Sequence, residues 1–142
     1  MDSCVFCRIV RGETDALSMY EDDLVKVIAD KNPAAVGHSL VIPKAHYENI
    51  YEIPERELER VAVVAKRVAT VYREHLKADG INLVQANGAA AGQSVFHFHL
   101  HVIPRYRSDG YGIAYGFHGD HKRWEESSKA LLKIRKYLQS FD

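Results

Sequence analysis

Apolar residues recur every three or four positions along residues 54–78, which is the spacing of one face of an α-helix. Pro54 suits the first turn of such a helix, and Gly80 can end it. Residues 121–140 carry a looser version of the same pattern. The apolar positions are Leu58, Val61, Ala65, Val68 and Tyr72 in the first segment and Trp124, Ala130, Leu131, Ile134 and Leu138 in the second. The pattern predicts one long helix and one C-terminal helix.

Short apolar runs separated by polar turns predict strands elsewhere in the chain. Two such runs lie within residues 17–30, a third spans residues 38–43, and a fourth covers residues 81–86. Residues 5–10 predict only a short helical turn. Because the strands lead into the long helix and then return as a pair, we expect an α+β fold. Its antiparallel sheet would have about five strands, with helices on one face.

The segment QSVFHFHLHVIP, residues 93–104, holds three of the eight histidines in alternation with bulky apolar residues. In a strand, successive side chains point to opposite faces of the sheet. The pattern therefore predicts a fifth strand with imidazoles on one face and apolar side chains in the core. The imidazole face would carry His97, His99 and His101, and the core face Phe96, Phe98, Leu100 and Val102.

Three interpretations fit a strand face that carries three imidazoles. The face can be a solvated surface that is rich in histidine, or a zinc site. It can also be a site of nucleophilic catalysis, because a neutral imidazole is a good nucleophile near pH 7. The preceding loop, residues 87–94, consists mostly of small residues and ends at Ser94. Alone it is compatible with an ordinary hairpin loop. Beside three histidines, its backbone N–H groups and the Ser94 hydroxyl favour catalysis on a phosphate group.

Length and charge narrow the class of protein. The 142 residues fit a single domain, 1–142, in which we expect 105–142 to be a C-terminal extension. Lys plus Arg and Asp plus Glu are both 19, so there is no basic excess of the kind that binds nucleic acid through its phosphates. No apolar run has the length of a membrane span, and the N-terminal residues do not resemble a signal peptide. We expect a cytoplasmic protein that binds neither nucleic acid nor membranes.

Cys4 and Cys7 form a Cys-x-x-Cys pair near the N-terminus. Two thiolates at this spacing are typical of zinc sites, but no second half of such a site follows nearby in the sequence. A redox pair of the thioredoxin type and a pair of free thiols are the alternatives. The residues alone leave these three interpretations open.

The histidine segment closely resembles the His-φ-His-φ-His-φ-φ signature, where φ is apolar, of the histidine triad superfamily of nucleotide hydrolases and transferases. Other stretches match the same family, and together they extend from about Cys4 to Pro104, nearly three quarters of the chain. The matching stretches are Asn87-Gly88, Gly92-Gln93-Ser94-Val95, Leu40-Val41-Ile42-Pro43-Lys44-x-His46 and Asp30 in its Ile-Ala-Asp setting.

The resemblance implies a fold, an activity and a role for individual residues. Such a protein cleaves at the α-phosphate of a nucleoside 5′-phosphate derivative, forms a nucleotidyl-histidine and releases a nucleoside monophosphate. His99 would be the nucleophile, His101 would contact the phosphoryl oxygens, and Ser94 would hold the phosphate and assist the leaving group. The remaining nucleotide contacts would come from Gln93 and Asn87 at the phosphate, Asp30 at the ribose hydroxyls, and Phe6 and Ile9 around the base.

The resemblance also implies a metal and a partner. Many related proteins hold a structural zinc ion through a ligand set that corresponds here to Cys4, Cys7, His46 and His97, with His38 as a substitute for His46. A homodimer built through the long helix and an edge strand is typical, and a purine nucleotide, adenosine above all, is the expected substrate. A non-catalytic, zinc-stabilised module that binds nucleotides or a protein is the alternative function.

The C-terminal segment often reaches towards the active site in related proteins, where it shapes the pocket of the leaving group. The candidates for this role in the segment are the aromatic residues Tyr106, Tyr111, Tyr115, Phe117 and Trp124. Packing in the core or at a dimer interface is the alternative role for each of them.

Overall fold

The computed structural model describes residues 3–107, 109 and 119–139. The expected aromatic positions 111, 115 and 117 lie outside this range. The helices are α1 (Val5–Val10), α2 (Glu55–His75) and α3 (Trp124–Leu138), and the strands are β1 (Ser18–Glu21), β2 (Val25–Ala29), β3 (Ser39–Pro43), β4 (Gly80–Val84) and β5 (Leu100–Arg105). Single 3-10 turns occupy Ala89–Ala91 and His121–Arg123. Every predicted element is present.

The five strands form one antiparallel sheet in the order β1-β2-β3-β5-β4. Because β5 follows β4 in the chain but lies between β3 and β4, the last strand is inserted next to the third. Its register pairs His101 with Leu40 of β3 and with Val84 of β4. The α+β class and the five antiparallel strands are therefore confirmed. One of the three histidines lies within the sheet.

Helices cover both faces of the sheet, whereas the sequence predicted helices on one face. The main core packs α2 and α3 against β-strand residues such as Val27 and Val41. Their neighbours Ile28 and Leu40 point to the opposite face and pack against Phe6 of α1. The short helix α1 is thus a separate layer, and it lies on the face that also carries the histidines.

Strand β5 begins at Leu100, four residues after Phe96, where the alternating pattern starts. The backbone N–H of Phe98 donates a hydrogen bond to the carbonyl of Tyr47, 2.6 Å away, instead of to a neighbouring strand. Phe98 and Val102 are buried as expected, and Leu100 is partly buried, but Phe96 is 46% exposed. The core role predicted for Phe96 is wrong, because the alternation begins only after the chain has left the 93–97 loop.

The C-terminal end of α2 also differs from the prediction. The helix ends at His75, Leu76 is its C-cap, and Lys77 adopts a left-handed conformation with φ of 59°. Gly80 begins β4 opposite Arg105, so it does not end the helix.

Helix α3 contributes Leu131 and two further apolar residues to the main core. Within the described ranges, no helix has both the length and the apolar character that crossing a membrane requires.

Candidate active site and metal cluster

A cavity of about 670 Å³ opens on the α1 face of the sheet. That volume lies within the range of roughly 300–1,000 Å³ that is usual for small-molecule sites. Six of the eight residues predicted to contact the nucleotide line it: Phe6, Ile9, Asp30, Ser94, His99 and His101. The other two, Asn87 and Gln93, are absent from its lining. The structure therefore brings most of the predicted site together around one space.

The hydrogen bonds of His99 fix which of its nitrogens holds a proton. Nδ1 lies 2.7 Å from the backbone carbonyl of His97, and since a carbonyl only accepts, Nδ1 carries the hydrogen. In the neutral ring the lone pair is then on Nε2. Burial lowers the pKa of His99, which favours this neutral form. His99 thus has the protonation state that a nitrogen nucleophile requires.

A chain of hydrogen bonds sets the tautomer of His101. The backbone N–H of Ala34 donates to Nδ1 of the buried His38 at 2.9 Å, so the proton of neutral His38 is on Nε2. This Nε2 lies 2.9 Å from Nδ1 of His101 and donates to it. Neutral His101 therefore carries its own proton on Nε2. Burial lowers the pKa of His38 to about 3 and that of His101 to about 4, so both rings are neutral at pH 7.

Asp30 adds a carboxylate to the cavity beside His38. One oxygen, Oδ1, accepts a hydrogen bond from the backbone N–H of Asn32 at 2.8 Å. The other, Oδ2, lies 3.4 Å from Nε2 of His38. Burial raises the pKa of Asp30, and the hydrogen bond from Asn32 opposes that shift. Oδ1 is thus a hydrogen-bond acceptor, which is the role that a partner of ribose hydroxyls must have.

The loop before the histidines is held by the side chains of Asn87 and Gln93. Gln93 accepts from the N–H of Gly88 at 2.7 Å and donates to the carbonyl of Glu48 at 2.6 Å. Asn87 accepts from the N–H of Ile50 at 2.7 Å. Both amides therefore bind protein groups, and their predicted contacts with phosphate stay a prediction. What they achieve is to fix the loop that presents Ser94 to the cavity.

A second cluster lies between α1 and the loop after β3. Sγ of Cys4 is 3.4 Å from Nδ1 of His97, and Sγ of Cys7 is 3.3 Å from Nδ1 of His46 and 3.5 Å from Nδ1 of His97. All four ligand atoms lie within 4.8 Å of one another. Two sulfurs and two imidazole nitrogens at these separations match a tetrahedral Cys2His2 site.

The protonation states of this cluster also suit a metal. Nε2 of His97 donates to the carbonyl of Pro43 at 2.8 Å, which leaves a lone pair on the Nδ1 that faces the thiols. Burial lowers the pKa of His97 to about 4, so the ring stays neutral. Burial also raises the pKa of Cys7, which a bound cation would counteract by favouring the thiolate. The residues present therefore fit a zinc ion.

Asp30, His38 and His101 form another group whose potential ligand atoms lie equally close. The hydrogen bonds of this group argue against metal binding. Nδ1 of His38 accepts a hydrogen bond from the backbone N–H of Ala34, so the ring proton is on Nε2, which is a donor and has no lone pair to offer. We therefore interpret this group as a hydrogen-bond relay. The structure places His38 beside His101, and His46 takes the position beside Cys7.

One residue of the site, His38, was not predicted to act there, and another, Trp124, was predicted only as one of several C-terminal aromatic candidates. His38 was considered only as a metal ligand, although it directly precedes the strand whose Leu40 pairs with His101. Trp124 lines the cavity from α3. No local sequence motif marks the role of either residue in the site, because each reaches the cavity through tertiary packing.

The fold and the arrangement of histidines define a histidine triad protein, and comparison with known proteins agrees. The pattern of the HIT domain matches residues 11–108. The chain is 36% identical over 140 residues to protein hit of Bacillus subtilis, which covers 98% of this chain and 97% of that protein. It is 46% identical over 111 residues to the adenylylsulfatase HINT3 of Arabidopsis thaliana, covering 76% of this chain and 55% of that protein.

Solved structures give the same result. The crystal structure of a zinc-bound histidine triad family protein from Mycobacterium smegmatis superimposes with a TM-score of 0.84 at 39% identity, over 96% of each chain. A HIT family hydrolase from Clostridium thermocellum gives a TM-score of 0.68 at 38% identity, over 80% of this chain and 98% of that one. The chain described here belongs to the HIT family.

Proposed function

We propose that this protein is a nucleotide hydrolase that cleaves at the α-phosphate of a nucleoside 5′-phosphate derivative through a nucleotidyl-histidine. The observation that carries the proposal is the hydrogen bond from Nδ1 of His99 to the carbonyl of His97, which leaves the Nε2 lone pair for attack. His99 lines the cavity together with a carboxylate, a hydroxyl and a second imidazole. A non-catalytic binding protein has no need of this nucleophile.

In the first step, Nε2 of His99 forms a bond to the α-phosphorus while the bond from phosphorus to the leaving group breaks. The Nε2–H group of His101 donates a hydrogen bond to a phosphoryl oxygen. His101 can do so because the hydrogen bond from His38 keeps its proton on Nε2. The hydroxyl of Ser94 donates a hydrogen bond to the phosphate and assists departure of the leaving group. In the second step, water attacks the phosphorus, the bond to His99 breaks, and a nucleoside monophosphate is released.

The rest of the nucleotide occupies the remaining lining. Asp30 accepts hydrogen bonds from the ribose hydroxyls, and Phe6 and Ile9 pack against the base. Gln93 and Asn87 act at the phosphate, chiefly by fixing the 87–94 loop. The assignment of Phe6 and Ile9 is supported by their place in the lining of the same cavity as His99 and Asp30.

We further propose that Cys4, Cys7, His46 and His97 bind a structural zinc ion. When bound, the ion supplies a cross-link between the N-terminal segment and the histidine segment. The ring of His97 is thereby fixed two residues before the nucleophile, and the backbone carbonyl of His97 accepts a hydrogen bond from Nδ1 of His99. The zinc-bound relative from Mycobacterium smegmatis supports this assignment.

The substrate we propose is a purine nucleotide derivative, preferably of adenosine. It is a nucleoside phosphoramidate, a dinucleoside polyphosphate or another adenylated compound. The name of the Arabidopsis relative, an adenylylsulfatase, supports an adenylated compound. The test is turnover of adenosine phosphoramidate, diadenosine polyphosphates and adenylyl sulfate, each with its guanosine counterpart. We expect release of AMP by the wild type and by His75→Ala, which changes an exposed histidine on α2, and none by His99→Ala.

Failure of the wild type to release a nucleoside monophosphate from any of these compounds would favour the alternative, a zinc-stabilised module that binds nucleotides or a protein.

A specific observation also supports a homodimer. Strand β4 lies at the edge of the described sheet, and Leu83 of β4 and Val63 of α2 are 52% and 42% exposed. We propose that the chain acts as one domain, 1–142 with the extension 105–142, in a cytoplasmic homodimer.

A further inference from the structure

Residues 119–123 dock on the loop that follows Asp30. The backbone N–H of Asp120 donates to the carbonyl of Pro33 at 3.2 Å, and Nδ1 of His121 donates to the carbonyl of Lys31 at 3.1 Å. Gly119 approaches the carbonyl of Asn32 so closely that a Cβ at this position would overlap it. The chain thus returns, after the HIT match has ended at residue 108, to the element that carries the ribose acceptor.

Trp124 is the first residue of α3 and follows this docked segment directly. Its side chain is partly buried, packs against the main core and lines the cavity. Leu17 does the same, and its carbonyl accepts a hydrogen bond from Ala29, the residue before Asp30. The described part of the cavity therefore has a wall, formed by Leu17 and Trp124, that is separate from helix α1.

The positions of the aromatic side chains distinguish the two ends of the cavity. Apart from the histidines, Phe6 and Trp124 are the aromatic residues in the described lining. Phe6 is packed against the histidine end, with ring centroids 5.7 Å from His97 and 5.2 Å from His99. Trp124 is attached instead to the wall beside Asp30. With the phosphorus of a nucleotide at His99 and its ribose at Asp30, the base would lie between helix α1 and the wall that carries Trp124.

We propose that Trp124 is a nucleobase-binding residue, contributed by the C-terminal segment outside the HIT match, whose indole ring packs against a purine. This inference rests on the proposed function, because it takes His99 as the phosphate end. An indole ring offers a large flat apolar surface, and an aromatic contact with a base tolerates adenine and guanine alike. The contact would retain the base without selecting strongly between the two purines.

The chain offers a direct reporter, since Trp124 is its only tryptophan. AMP, the product of the proposed reaction, can be titrated at equilibrium without turnover while tryptophan emission is recorded. We expect AMP and GMP to change the emission in a saturable way, and ribose 5-phosphate, which lacks a base, to leave it unchanged. AMP that binds by calorimetry but leaves the emission unchanged would overturn the inference.

Variants separate base contact from structural support. By calorimetry, Trp124→Ala should raise the Kd of AMP about tenfold and leave that of ribose 5-phosphate unchanged. Trp124→Phe, whose unfolding temperature verifies the fold, should retain most of the affinity. Tyr137→Ala removes an aromatic ring from the far part of α3, where it stacks on His75, and should bind AMP as the wild type does. An equal loss of AMP and ribose 5-phosphate in Trp124→Ala would show a merely structural role and overturn the proposal.

The outcome for Trp124 is separable from the outcome for the activity. Saturable quenching by AMP with no hydrolysis of any substrate would retain the base-binding residue and refute the hydrolase. Hydrolysis by the wild type together with an unaltered Kd of AMP in Trp124→Ala would retain the hydrolase and refute the base-binding role of Trp124. Absence of both AMP binding and hydrolysis would refute the two together.

Discussion

Nε2 of His38 lies 2.9 Å from Nδ1 of His101, and the donor in this pair is His38. The direction follows from the backbone N–H of Ala34, which occupies the other nitrogen of His38. A residue with almost no exposed surface thereby determines which nitrogen of its neighbour holds a proton. The proposed phosphate contact of His101 depends on that choice, because a deprotonated Nε2 would repel a phosphoryl oxygen.

Loss of this donor should slow catalysis. We expect His38→Phe, which keeps the volume but donates no hydrogen bond, to lower kcat about tenfold, the value of roughly one hydrogen bond. His38→Gln has an amide that can donate to His101 and should recover part of the loss. Initial rates over a range of substrate concentrations give kcat and KM separately, and we expect the change mainly in kcat. Equal rates for the Phe and Gln variants would contradict the relay.

Burial of neutral His38 should make the fold sensitive to acid. Its pKa is about 3 in the folded protein, against roughly 6.5 in an unfolded chain. Below pH 6.5 the unfolded chain binds a proton that the native ring does not, so stability is lost as the pH falls. Between pH 7 and pH 5 this costs about 2 kcal/mol.

Urea unfolding at the two pH values, in buffer with zinc, measures this loss. The wild type should lose about 2 kcal/mol more than His38→Phe, which has no titrating group at this position. The comparison cancels the acid sensitivity of the cysteine and histidine cluster, because both proteins contain it. Identical losses would show that His38 takes up its proton in the folded state.

The Cys2His2 cluster should hold close to one zinc ion per chain. Because Cys4 and His97 belong to segments far apart in the sequence, the metal cross-links α1 to the histidine segment and stabilises the fold. Cys4→Ser should lose the metal, and its unfolding temperature should fall on the order of 10 °C. Elemental analysis and calorimetry measure the two effects. Metal-free wild type that unfolds at the temperature of the untreated protein would contradict the assignment.

The proposed dimer can be broken at the edge of the sheet. Leu83 lies on the edge strand β4 and is half exposed, so Leu83→Arg would bury a charge in an interface that includes this strand. Light scattering during gel filtration should give a dimeric mass for the wild type and a monomeric mass for the variant. Leu132→Arg, at an equally exposed apolar position on α3, should stay dimeric. A monomeric wild type would refute the dimer.

The sequence predicted the elements well because each has a local signal. The apolar stripe of α2 and the alternation of Leu100 and Val102 depend only on helical and strand periodicity. The alternation failed at Phe96, where the hydrogen bond from Phe98 to Tyr47 keeps the preceding residues outside the sheet. That bond joins residues 51 positions apart, and no local pattern encodes it.

The candidate site shows the same division. The family motif located His99 and Ser94, which line the cavity as expected. His38 acts through its partners Ala34 and His101, and a tautomer cannot be inferred from a sequence motif. Trp124 reaches the cavity only because residues 119–123 dock on the loop after Asp30, which is a property of tertiary packing.

The central claim is that His99 forms a covalent bond to the α-phosphorus. The most direct test mixes the protein with excess adenosine phosphoramidate, denatures it within milliseconds at neutral or alkaline pH to preserve the phosphorus–nitrogen bond, and measures the intact mass and then the peptide masses. We predict a fraction of chains that carry one AMP group, located on His99. AMP release at the normal rate with no adduct at any time, or an adduct located on His101, would contradict the account.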